Sequence, residues 1–132
     1  MQQFGFNALV GVAGAILNYM FGGWNELVQL FFLLIAVDYV TGVAASLKSG
    51  AGLNSAKGFW GIWKKGLMIV IVMLGHRFDL LLETELFMAG FIYFYMANEL
   101  ISITENCGIL GVPLPEKLRK LIEILKNKQE NR

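Results

Sequence analysis

The chain has 132 residues, room for one compact unit, but 56% of it is hydrophobic and its mean hydropathy is +0.57. Ordinary soluble domains are roughly 45–50% apolar even with glycine counted, and a small fold has too much surface for its volume to hide the excess from water. An isolated soluble domain is therefore excluded, leaving lipid or a tight oligomer. The formal charge of +1 conceals a segregation, and the single cysteine, Cys107, excludes an intrachain disulfide.

Four apolar stretches follow in chain order. The first, Phe4 to Phe21, is the least hydrophobic, carrying Gly5, Asn7, Gly11, Gly14 and Asn18. Met1 to Asn7 holds no Lys or Arg, and "MFGGWNE" offers no small-residue cleavage site, which argues against a cleaved signal peptide. This stretch either spans a bilayer or lies in its interface. After the turn "FGGWNE" comes the second stretch, Leu27 to Leu47; after "KSGAGLNSAKG", where Gly50, Gly52 and Asn54 mark a loop, comes the third, Gly66 to Leu82. The fourth is Leu86 to Ile103. A hydrocarbon core of about 30 Å needs about 20 helical residues. Barrel strands alternate strictly, and "LFFLLIAV" and "GLMIVIVML" do not.

The predicted helices are 4–21, 27–47, 62–82 and 86–106, in a membrane domain of residues 1–112. Pro113 stops the fourth and Pro115 opens a fifth. Residues 113–132 read as a basic amphipathic segment with Leu114, Leu118, Leu121, Ile122 and Leu125 on one face, fraying after Leu125. The fold class is an all-α integral membrane protein with three to four transmembrane helices and a C-terminal amphipathic helix.

Charge gives a topology. Lys48, Lys57, Lys64 and Lys65 lie in the second connection, and Lys117, Arg119, Lys120, Lys126, Lys128 and Arg132 in the tail. The first connection has no Lys or Arg, and the third has only Arg77, beside Asp79, Glu83 and Glu85. By the positive-inside rule both basic segments, and the C-terminus, face the cytoplasm; Trp24, Trp60 and Trp63 fall near the interfaces. The mixture of lysine and tryptophan in "AKGFWGIWKK" fits anionic headgroups better than nucleic acid beside an apolar hairpin. Lys48, Lys57, Lys64, Lys65, Lys117, Arg119 and Lys120 are thus the candidate lipid-facing basic residues.

Polar residues inside spans are the candidate functional groups, because charge at the bilayer centre costs at least about 2.5–3.5 kcal/mol on insertion scales. Asp38 lies about 15 Å from either end of its helix, near the midplane. Thr41, Gly42 and Ala45 continue its face with small residues that let helices approach closely. Asp38 is either neutralised within the chain or faces a neighbouring copy or a pore; a proton or ion relay is a third role. Counting from Lys65 as the end of the third helix places His76 and Arg77 at the depth of Asp38, so one of them is expected to face it. In the rival arrangement Arg77 turns outward to Asp79 or Glu83. Tyr95, Glu99, Ser102 and Asn106 form a polar stripe on the fourth helix, flanked by Asn98, with Glu99 in reach of Lys64 or Lys65. There is no phosphate loop, nucleophile elbow or paired metal-ligand set. No catalytic residue, cofactor or metal is expected.

Three segments in order, "DYVTGVAASLKSG" (38–50), "KGFWGIWKK" (57–65) and "YFYMANELISITENCGILGVPLPEKL" (93–118), resemble the toxin-secretion and phage-lysis holin family of phages and prophages of Gram-positive bacteria. The resemblance carries over Asp38, Gly42, Lys57, Gly58, Lys64, Lys65, Asn98, Glu99, Glu105, Pro113 and Pro115 as motif positions. It implies a protein that gathers in the host's cytoplasmic membrane as a homo-oligomer and opens lesions. Endolysin, without required direct contact, or a large toxin then exits. It also implies a possible antiholin partner. Two other readings remain open: a small four-helix transporter or channel using the intramembrane carboxylate, and a non-permeabilising antiholin or scaffold.

Overall fold

The computed structural model describes residues 1–50, 52 and 55–131; Asn54 of the expected loop lies outside them. Among the described residues there are five helices and no strand: α1 (Gln2–Phe21), α2 (Glu26–Lys48), α3 (Ser55–Leu82), α4 (Leu86–Leu110) and α5 (Glu116–Glu130). By length and composition α1, α2 and α4 are each able to cross a membrane. α3 is longer but carries Lys57, Lys64, Lys65, Arg77 and Asp79.

The ends of these helices follow from local chemistry. Gly22 (φ 76) stops α1, its N–H donating to Asn18 O at 2.7 Å. Asn25 caps α2 by accepting from Val28 N at 3.0 Å. Gly111 (φ 77) closes α4, with Val112 N donating to Cys107 O at 2.9 Å ahead of Pro113. Pro115 stands just before the first residue of α5.

Three boundaries differ from the sequence reading by about a turn or more: α4 runs to Leu110, past the expected end at residue 106, and the other two lie in α3 and α5. α3 begins at Ser55, so "AKGFWGIWKK" is its opening turns and not a loop. No proline interrupts it, and glycine weakens a helix without breaking it. α5 continues to Glu130 instead of fraying after Leu125, and Lys126 Nζ donates to Glu105 Oε1 on α4 at 3.0 Å.

α4 is the hub. α2 and α3 pack along it, α5 folds against its C-terminal part, and α1 packs on α3. The α3–α4 hairpin is tight because Gly75 lacks a side chain: a Cβ there would lie 2.7 Å from the Phe91 ring and 3.0 Å from the Met88 backbone. Glu83 makes the turn with φ 55. The Asp79 carboxylate closes it, accepting from Thr84 Oγ1 at 2.8 Å and from Phe87 N and Met88 N at 2.9 Å each. A carboxylate from α3 thereby satisfies amides that the first turn of α4 leaves unpaired.

The apolar core, Phe21, Val28, Phe31, Val72 and Ile92, sits at the end of the bundle that holds these turns. Most of the remaining large apolar side chains face outward, among them Leu33, Val40, Leu67, Leu81 and Phe94. Soluble proteins rarely expose apolar surface on that scale; lipid is the solvent it fits.

Candidate functional site: an ion cluster shared by three helices

The other half of the bundle buries charge. Asp38 comes from the middle of α2, Glu99 from the second half of α4, and Lys65 from the third turn of α3. Lys65 Nζ lies 2.7 Å from Asp38 Oδ2 and 2.6 Å from Glu99 Oε2. The two acidic residues are only 9% and 5% exposed, close to the 0–1% of the apolar core. Asn106 Nδ2 donates to Asp38 Oδ1 at 3.2 Å and to Thr41 Oγ1 at 3.0 Å, while the Thr41 hydroxyl donates to Val37 O at 2.8 Å. One ammonium thus joins carboxylates of two other helices, and a carboxamide steadies one of them.

The small face of α2 is in use within the chain. Ala45 is buried, and a Cβ at Gly42 would meet Asn106 Nδ2 at 3.5 Å, so these residues seat α2 on α4. A cleft of about 410 Å³ opens beside the cluster, lined by Asp38, Gly42, Lys57, Gly61, Lys65 and Ser102 among others. Four glycines, Gly42, Gly52, Gly58 and Gly61, help line it, and Lys65 borders it.

His76 and Arg77 do not meet Asp38. Because α3 starts at Ser55, Lys65 lies well inside the helix, and it is Lys65 that stands level with Asp38. His76 is eleven residues further on, about 16 Å away. Arg77 instead donates from Nη2 to Tyr19 O at 2.6 Å, with its guanidinium 3.4 Å over the Tyr19 ring. His76 packs against Gly22. The rival arrangement also fails, since the Asp79 oxygens serve α4.

The remaining candidates separate by location. Tyr95 is packed against the apolar core, Asn98 is half-buried, and Ser102 lines the cleft. Lys48 Nζ donates to Leu110 O at 3.0 Å and so caps the end of α4. Lys57, Lys64, Lys117, Arg119 and Lys120 are exposed. Of the two lysines in reach of Glu99, it is Lys65 that turns inward. The sequence reading groups Lys65 with the lipid-facing residues, whereas the structure turns it inward; the signal for that face is its spacing from Lys57 and Gly61, which share one side of a continuous helix. The capping role of Asp79 had no comparable signal. Among the described residues no three His, Cys, Asp or Glu side chains are placed to hold a metal ion.

The pattern of the bacteriophage holin family matches residues 15–127. An uncharacterized 14.9 kDa protein in the nagH 3′ region of Clostridium perfringens is 42% identical over 118 residues, covering 88% of this chain and 89% of that one. An uncharacterized protein of Halalkalibacterium halodurans is 39% identical over 122 residues, 87% and 89% of the two chains. One from Listeria monocytogenes is 43% identical over 112 residues, 84% and 79%. No solved structure matches.

Proposed function

The chain belongs to the bacteriophage holin family, and from that premise we propose that it oligomerises in the bacterial cytoplasmic membrane and permeabilises it, letting an endolysin or a large toxin pass. The observation that carries this reading is the buried Asp38–Lys65–Glu99 cluster. Burying ions is costly, and an ion pair in a low-dielectric interior adds little net stability over apolar packing. Three charged groups at the centre of a bundle make sense when the face that holds them is meant to meet water. With Lys65 withdrawn along the cleft, Asp38, Glu99, Ser102 and Asn106 become a polar wall on α2 and α4. Helices have little hydrophobic drive to associate in lipid, so contacts between such walls accumulate steeply with membrane density. That dependence supplies a timing mechanism.

The ends of the bundle support a cytoplasmic C-terminus. Lys48, Lys57 and the basic residues of α5 share one end, while Glu26, Glu83 and Glu85 lie at the other. Endolysin needs no docking surface in this scheme, and no catalytic residue enters it.

Inducible expression with a cytoplasmic reporter enzyme of endolysin size tests the reading: reporter release and loss of viability at a reproducible time are expected. Depolarisation without reporter release would limit the lesion to small pores. Expression with neither would make the chain an antiholin or scaffold. The cleft beside Asp38 favours one second reading, a small transporter. Substrate-dependent proton flux lost in Asp38→Asn, with no macromolecular leak, would establish it in place of the first.

A further inference from the structure

α5 touches the bundle with only one edge of its apolar stripe. Ile122 is buried and Leu114 and Leu125 are half-buried, whereas Leu118, Leu121 and Ile124 remain exposed, the last two at 54% each. At about 100° per residue, Lys117, Lys120 and Lys128 fall beside Leu121 and Ile124, on the edge turned away from Ile122. Glu116, Glu123 and Glu130 gather on a separate strip roughly a third of a turn away. Arg119 and Lys126 lie on the remaining side, where Lys126 is engaged by Glu105. The helix therefore sorts its charges: lysines interleave with exposed aliphatic groups on one edge, and the one carboxylate that reaches it, Glu116, makes only a long, exposed contact of 3.9 Å with Lys120.

That arrangement suits a surface that is negative outside and apolar just beneath. Only Gly111 to Pro115 separate α5 from the end of α4, which holds it at the level where α4 leaves the bilayer. On the reading that the chain spans a membrane, we propose that the edge formed by Lys117, Lys120, Leu121, Ile124 and Lys128 rests on the anionic headgroups of that same bilayer. The lysines meet lipid phosphates, and Leu121 and Ile124 reach the boundary of the acyl chains. A second copy is a poorer occupant. Inserted in the same direction, it presents Lys48 and Lys57 at this level, beside its own α5 lysines, and like charges oppose the contact. Arg119, named with the lipid-facing residues from sequence, falls outside the edge, and Lys128 enters it.

The test uses the full chain in a Cys107→Ser background, carrying one fluorescent label at Ile124→Cys or at Glu123→Cys, in vesicles of phosphatidylglycerol or of phosphatidylcholine. In phosphatidylglycerol the label at 124 is expected to be several-fold less accessible to a water-soluble quencher than the label at 123. The protection disappears in phosphatidylcholine, at high salt, and in the triple variant Lys117→Gln/Lys120→Gln/Lys128→Gln, and it survives Arg119→Gln. Equal quenching at the two positions in phosphatidylglycerol would overturn the proposal. So would protection that is the same in both lipids, or protection that rises with the protein-to-lipid ratio at fixed lipid, the mark of a second copy. The readout needs no leakage, so it stands or falls separately from permeabilisation.

Discussion

The bundle buries carboxylates in two ways, one in the α3–α4 turn and one nearer its middle. Asp79 is held by Thr84 and by two main-chain amides of α4. Those amides cannot turn away unless α4 unwinds. Asp38 and Glu99 are held together by Lys65, a point charge on a flexible four-carbon stem with a cleft beside it. The first arrangement fixes α3 to α4 as a hairpin, reinforced by the close approach at Gly75. The second joins α3 to α2 and α4 through a flexible side chain, the one that withdraws in the proposed mechanism. In that mechanism the same residue type serves a permanent joint in one place and a separable one in the other, and the difference lies in what donates to it.

Breaking each joint sharpens the contrast. The largest effect is expected for Lys65→Met, which leaves two buried carboxylates without a counter-charge and destabilises the bundle by about 3–5 kcal/mol, read as loss of helicity on denaturant titration in micelles. Adding Asp38→Asn and Glu99→Gln to that variant removes the stranded charges and restores most of the loss. Asp38→Asn alone keeps a balanced Lys65–Glu99 pair and costs far less. If it inserts, assembles and lyses on schedule, the Asp38 charge serves neither assembly nor lysis. Gly75→Ala drives a methyl group into Phe91 and the Met88 backbone, costing about 1–3 kcal/mol in the same titration. Asp79→Ala removes a cap and costs about 0.5–2 kcal/mol. Because its joint does not open in the proposed mechanism, it lowers stability while leaving the timing of reporter release nearly unchanged; a large change in timing would place both joints in the opening step.

The smallest effect concerns α5. The hydrogen bond from Lys126 to Glu105 holds that exposed ammonium above the ordinary lysine range. A raised lysine contributes its contact fully below the unfolded value and loses it as pH rises through the folded one. Amide exchange in α5 should accelerate at alkaline pH beyond the intrinsic trend, and Glu105→Gln should abolish the excess.

Much of this arrangement is legible in the residues. The apolar stretches mark helices because backbone groups in lipid must be satisfied internally, and Gly22, Asn25 and Gly111 mark their ends. Depth in the membrane was not legible for α3. Its first turns carry three lysines and two tryptophans, which read as a connection, and that misplaced the helix end from which His76 and Arg77 were measured. A lysine reads as a surface residue until its helix is known to continue past it. The polar stripe on α4 was visible as spacing; which helix would answer it was decided by packing across three elements, which no local pattern encodes.

One further consequence comes from α1. From Gln2 to Ile16 its side chains are all exposed, and its attachments gather in the last turns: Leu17, Met20 and Phe21 on the core, and Arg77 on the Tyr19 carbonyl. A 20-residue helix is about 30 Å long. Held at one end beside Gly22 and Gly23, an arm of this length would carry its tip through about 10 Å for a tilt of about 20° at that end. The Arg77–Tyr19 contact therefore sits at the short end of that arm, where a small shift would be magnified at the tip.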